Sequence, residues 1–179
     1  SRFATETVIN PKNYEDIKIV NVSNKGRWIA QEFIEGRQIC TYSIVHQGEI
    51  TAHVAYATEI TAGQGATIAF KPLNHPASER WVQKFVGCYG FSGQIAFDFI
   101  ENPSGEIFAI ECNPRAISGV HLFDENLVSA IVNQEAVMPI RDKQVAVWLA
   151  VLCYGWQTAP SLKEWRRALI NSHDAIFSW

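Results

Sequence analysis

The hydrophobic periods of this chain predict an α+β fold, an antiparallel β-sheet with helices packed on one face. Three observations carry that prediction. Period-two runs dominate between residues 38 and 113, a single strong helical period interrupts them near Trp81, and helical periods take over after Gly119.

Along the chain, residues 1–9 are apolar and β-branched enough to end a strand, and Asn10-Pro11-Lys12-Asn13 is a turn. Residues 14–26 read as irregular with one short strand, and residues 28–34 (WIAQEFI) as a strand stopped by Glu35-Gly36. Residues 38–46 and 50–60 alternate as two strands around His46-Gln47-Gly48-Glu49, a hairpin signal. The loop 61–65 (TAGQG) holds two glycines that would let backbone approach a phosphate, although this spacing serves ordinary turns equally well.

Asn74-His75-Pro76 opens a helix, with Asn74 as cap and Pro76 in the first turn, and Trp81, Val82, Phe85 and Cys88 recur at helical spacing before Gly90. Its aromatic stripe is expected against the core, over Phe97, Phe99 and Phe108. Residues 122–134 place Leu127, Val128, Ile131 and Val132 on one side of a further helix. Residues 141–154 are apolar through their middle, which predicts a helix buried on most sides. Ser161-Leu162-Lys163-Glu164 has capping-box spacing and starts a helix to about Ile170.

The stretch 94–119 (QIAFDFIENPSGEIFAIECNPRAISG) carries the chemistry. Successive strand side chains point to opposite faces, so Ala96 and Asp98 share one face and Ile95, Phe97 and Phe99 the other. The second run repeats the alternation, with Ala109, Glu111 and Asn113 on one side and Phe108, Ile110 and Cys112 on the other. Asn102-Pro103-Ser104-Gly105 is turn chemistry, and a two- or four-residue loop pairs Asp98 with residue 109 or 111. Asp98, Glu111 and Asn113 then converge on one surface. Two carboxylates and an amide so placed suit a hard cation such as magnesium or manganese, and magnesium usually takes phosphate oxygens as well. The same residues also fit the wet face of an antiparallel hairpin.

Composition narrows the classes. Of the 179 residues, 47% are hydrophobic and 18% charged, which is globular and neither disordered nor fibrous. A net charge of -3 and a pI near 5.9 leave no basic footprint, so no nucleic-acid partner is expected. Apolar runs such as residues 145–154 fall short of the roughly 20 residues of a bilayer span, no signal-peptide pattern opens the sequence, and no membrane partner is expected. Cys40, Cys88, Cys112 and Cys153 are widely spaced in apolar segments, which predicts reduced, buried thiols and a cytoplasmic setting. The five His lack zinc spacing. The chain starts at Ser1 and stops at Trp179 just after Ile176-Phe177, and it reads as a piece of a longer protein.

Asp98 followed thirteen residues later by Glu111-Cys112-Asn113-Pro114-Arg115, with Ser118-Gly119 beyond, is similar to the metal-binding signature of the ATP-grasp superfamily. The likeness is strongest to its carboxylate-amine ligase and carbamoyl-phosphate synthase branches. The resemblance implies that Asp98, Glu111 and Asn113 hold magnesium (or manganese) ions bridging the phosphates of ATP, and that Arg115 meets the transferred phosphate or the acyl substrate. It places backbone atoms of Glu32 and Ile34 at the adenine and puts Gln38 where an acid more usually takes the ribose. Ser118 and His121 fall on the acceptor-substrate side, although His121 also reads as a structural histidine.

The resemblance covers residues 1–123, the C-terminal subdomain of an ATP-grasp domain, with 124–179 a helical extension packed on it. It further implies that the family's phosphate-binding lysine lies a few residues before Ser1. The implied activity is ATP-dependent activation of a small carboxylate as an acyl phosphate for attack by an amine. Carbamoyl-phosphate synthase-like and peptide-type roles both stay open, as does a homodimer. The competing class is a non-catalytic nucleotide-binding or structural module that keeps the fold.

Overall fold

The computed structural model describes residues 31–62 and 66–176. The chain divides into two compact units, Ser1–Glu35 and Gly36–Trp179. In the first unit residues 31–35 form no helix or strand, which corrects the strand expected through Ile34. A strand persists only where its backbone finds a ladder, and none of these residues joins one. The expectations for residues 1–30, and for Gly63 and Gly65, lie outside the described residues.

The second unit is built on one seven-stranded sheet. Its strands are β1 (Arg37–His46), β2 (Glu49–Ala62), β3 (Ala66–Leu73), β4 (Gly93–Glu101), β5 (Ile107–Asn113), β6 (Val145–Ala146) and β7 (His173–Asp174). Their order across the sheet is β5-β4-β1-β2-β3-β6-β7. Every pairing is antiparallel except β6 with β7. The β1–β2 hairpin closes as the sequence predicts, on a two-residue turn with Gln47 at φ 49° and Gly48 at φ 88°. Two positive φ values in a row match the right-handed twist of the flanking strands, and glycine takes the second at no steric cost.

The α+β class stands, and the helices divide between the two faces of the sheet where one covered face was expected. Helix α1 (Pro76–Tyr89) packs Val82 and Val86 onto Ile39, Val45, Ala55, Ile95, Phe97 and Phe99. The opposite face carries Tyr42, Ile44, Val54, Tyr56 and Phe70, which also need cover, and the chain after Gly119 returns to supply it. A 3₁₀ turn (Ser118–Leu122) and helix α2 (Leu127–Val132) bring Leu122, Phe123, Leu127 and Ala130 onto those side chains. Only Leu127 of the four apolar residues expected on the inner side of that helix is buried; Val128, Ile131 and Val132 are exposed.

The cap of α1 is His75 and not Asn74: its Nδ1 accepts from the Ser78 N–H at 3.2 Å, with Pro76 in the first turn. Gly90 ends the helix in the left-handed region at φ 56°. Trp81 and Phe85 lie on the inner face as predicted, whereas Cys88 is exposed and Val86 takes the buried position.

The run 141–154 differs most from expectation. Val145 and Ala146 pair with Phe70 and Ala69 of β3, and helix α3 (148–158) starts only afterwards, with a π turn over Val151–Gly155. Val151 is buried against Ile60 and Ala168, while Leu149, Leu152 and Tyr154 are exposed, so high apolar content did not translate into burial on all sides. Helix α4 (Leu162–Ile170) begins as the capping box predicts, Ser161 Oγ accepting from the Glu164 N–H at 3.2 Å. Among the described residues no helix is long and apolar enough to cross a membrane.

Candidate metal and phosphate site

The geometry starts at the 103–105 turn. Asn102 N–H donates to Glu106 O at 2.9 Å, Gly105 N–H donates to Asn102 O at 2.9 Å, and Gly105 sits at φ 82°. The Asn102 side-chain oxygen accepts from the N–H groups of Ser104 and Glu106, fixing the reversal. The loop therefore has three residues, not two or four. Left uncorrected, that odd length would set Asp98 opposite Ile110. A β-bulge between Asp98 and Phe99 adds a residue to β5 and brings Asp98 opposite Glu111, with Ala96 opposite Asn113.

The bulge also reverses parity on its turn side. Phe108 falls opposite Ile100 and is exposed, so it does not join Phe97 and Phe99 as expected. Ile107, opposite Glu101, packs with them instead.

The sheet then aligns four residues in one row: Glu111 on β5, Asp98 on β4, Cys40 on β1 and Tyr56 on β2. Directly opposed antiparallel residues have Cβ atoms about 4.5–5.5 Å apart, so neighbours in the row lie within reach of one another. Cys40 is buried, Asp98 and Asn113 are intermediate, and Glu111 and Arg115 are exposed. Burial raises the Asp98 carboxyl above its ordinary value, and the Glu111 charge raises it further. A hydrogen bond from Cys40 and the Arg115 charge act the other way. Arg115 donates through Nη2 to Asn113 Oδ1 at 3.3 Å, which sets its guanidinium at the acidic pair. Gln38 lies on the same face of β1, its amide 3.9 Å from the Cys40 sulfur.

Behind the row, Gly119 lies against the Tyr56 ring, and Tyr56 stands directly opposite Cys40 on the neighbouring strand. Burial first, then the neighbouring Asp98 charge, pushes the Cys40 thiol far up. Gly119 is buried where no other residue fits: a Cβ there would lie 2.5 Å from Tyr42 Cβ and 3.0 Å from Tyr56 Cε1. Gly119→Ala is accordingly expected to destabilise the protein by about 1–3 kcal/mol through overpacking, read as a lowered urea midpoint with an unchanged slope. An unaltered midpoint would mean that the turn does not seat on the two tyrosines.

Ser118 opens that turn and so borders the row, whereas His121 lies beside Lys143; burial, then the Lys143 charge, holds His121 below its ordinary value. Glu32 and Ile34 belong to the other compact unit. The structure thus gathers Gln38, Asp98, Glu111, Asn113 and Arg115 on one face. Sequence reasoning passed over Cys40 and Tyr56, although Gln38, Cys40 and Tyr42 alternate as visibly as Ala96 and Asp98. All four cysteines are free, yet only Cys40 is buried; Cys88, Cys112 and Cys153 are exposed.

These donors fit a magnesium ion. They are all oxygen, and two carboxylates whose mutual repulsion already raises Asp98 would be relieved by a cation between them. Among the described residues no three of His, Cys, Asp and Glu converge as a metal cluster, and the third oxygen here is the Asn113 amide.

No protein-family model and no curated protein matches the chain by sequence. Solved structures do match. Phosphoribosylamine–glycine ligase from Thermotoga maritima superposes with a TM-score of 0.51 at 14% identity, over 63% of this chain and 35% of that one. The phosphoribosylaminoimidazole carboxylase ATPase subunit from Aquifex aeolicus gives 0.48 at 15% identity, over 62% and 39%. The biotin carboxylase domain of Hydrogenobacter thermophilus 2-oxoglutarate carboxylase, in complex with MgADP and bicarbonate, gives 0.39 at 18% identity, over 56% and 22%. The matches span between about a fifth and two fifths of those structures' own lengths. By its superposition on the ligase, the chain has the ATP-grasp fold over 63% of its length.

Proposed function

We propose that this chain supplies the metal-binding half of an ATP-dependent ligase site, in which a carboxylate is activated as an acyl phosphate for attack by an amine or similar nucleophile. The observation that carries the proposal is the direct opposition of Asp98 and Glu111, with Asn113 and Arg115 at the end of the same strand.

Asp98, Glu111 and Asn113 would hold magnesium, which when bound neutralises charge along the nucleotide phosphates. Arg115, free to swing from its exposed position beside Asn113, would offset charge on the transferring group. A carboxylate oxygen attacks the terminal phosphorus of ATP, ADP leaves, and the nucleophile then displaces phosphate from the acyl phosphate. Phosphoryl transfer of this kind asks the protein mainly for positioning and charge neutralisation, which matches a site without an evident general base. Gln38, beside the row, stands toward the ribose side, and Ser118 toward the acceptor.

Calorimetric titration of ADP with magnesium tests the reading. The chain is expected to bind ADP in a magnesium-dependent way, and the Glu111→Ala, Asn113→Ala double variant to lose that dependence. Equal magnesium-dependent binding by both proteins would take the metal off this hairpin.

A further inference from the structure

We propose that Cys40 is a positioning residue of this site, its thiol holding Asp98 in the orientation in which that carboxylate meets a divalent cation. The proposal rests on Asp98 being a metal ligand.

Cys40 is 5% exposed and occupies the centre of the row, opposite Asp98 on one side and Tyr56 on the other. Its sulfur accepts from the Gln38 amide at 3.9 Å, and Tyr56 faces it from the neighbouring strand. With that donor on the sulfur, the single S–H is left for the Asp98 carboxylate directly opposite. A carboxylate held at one oxygen presents the other in a fixed direction, and partners behind a metal ligand characteristically set its orientation in this way.

The row is anchored on backbone. Gly119 is pinned by the two tyrosines it touches, so the position of the Asp98 carboxylate is tied to the turn that follows Arg115. Both sides of the site, the carboxylate row and the Arg115 to Ser118 loop, are therefore set by one connected group of residues. An apolar side chain at position 40 would fill the space and leave Asp98 without its donor.

The test is manganese binding in the presence of ADP, followed by electron paramagnetic resonance, on the full chain and on Cys40→Ala, Cys40→Ser and Asp98→Asn. Ala and Ser remove similar volume and differ in the donor. Cys40→Ala is expected to weaken manganese binding about ten-fold, the lower end for a residue behind the ligands because a thiol is a weak donor. Cys40→Ser is expected to return to within about three-fold of the parent, since its hydroxyl supplies the donor again. Wild-type affinity in Cys40→Ala, alongside loss in Asp98→Asn, would overturn the positioning role and leave the metal reading standing. Equal weakening by Ala and Ser would overturn it too, by assigning the effect to volume. Absence of manganese binding by the parent chain would overturn the metal reading and this proposal with it.

Discussion

Glu111→Gln is expected to weaken magnesium-dependent nucleotide binding by roughly a hundred-fold or more, beyond what removing a partner behind a ligand costs, without lowering the thermal midpoint. The substitution keeps shape and hydrogen-bonding capacity while removing one charge. In the folded chain that charge repels Asp98, whose carboxyl it helps to raise. Neutralising it relieves strain in the metal-free protein, and Glu111 is exposed, so no packing is lost. Affinity and stability should therefore move in opposite directions or affinity alone should move. A matched fall in both would show Glu111 to be structural, and unchanged affinity would remove it from the metal site. Titration calorimetry and a melting curve on the same sample decide it.

The opposite response of the two properties follows from a feature that the sequence half discloses. Alternation in β4 and β5 places Asp98, Glu111 and Asn113 on one surface, and the structure agrees. It gets there by a different route, a three-residue turn corrected by a bulge, because the signals for turn length and for a bulge are both weak beside that of alternation. The β1–β2 hairpin and α1 were equally legible, being held by local turn and cap chemistry.

Long-range partners were not. Nothing local to residues 38–46 says that β1 lies between β2 and β4, and without that order Cys40 is only a buried thiol. For the same reason Val145 and Ala146 looked helical: a two-residue strand is specified by the edge of β3 it completes and not by its own period. The short helices facing Tyr42 and Tyr56 were readable as helices but not as cover for the second face, since that need arises only once β1 and β2 sit in the middle of the sheet.

Phe97→Ala is expected to have the largest effect on the fold, about 3–5 kcal/mol, the usual cost of deleting a buried aromatic side chain. Phe97 is 2% exposed and lies on the face of β4 opposite Asp98. Its ring meets Trp81 edge-on at 5.1 Å, Phe85 at 5.1 Å and Phe99 at 5.9 Å. Two of those partners belong to α1, so Phe97 is where the helix grips the central strands. The cavity cannot close easily, because Trp81 is also held edge-on by Phe99 at 5.2 Å and stacked on Phe85 at 5.5 Å. For a domain of this size the loss corresponds to a fall of roughly 10 °C in the thermal midpoint, and a large part of a typical total stability of about 5–15 kcal/mol. Phe97→Leu keeps much of the volume and should lose clearly less. Phe97→Ala is expected to lower stability and leave the folded chain its metal binding, and Glu111→Gln to lose metal binding at unchanged stability, which separates the scaffold behind the row from the carboxylates in it. A midpoint within about 2 °C of the parent, less than 1 kcal/mol on the same scale, would show that α1 is not anchored on β4 through this ring.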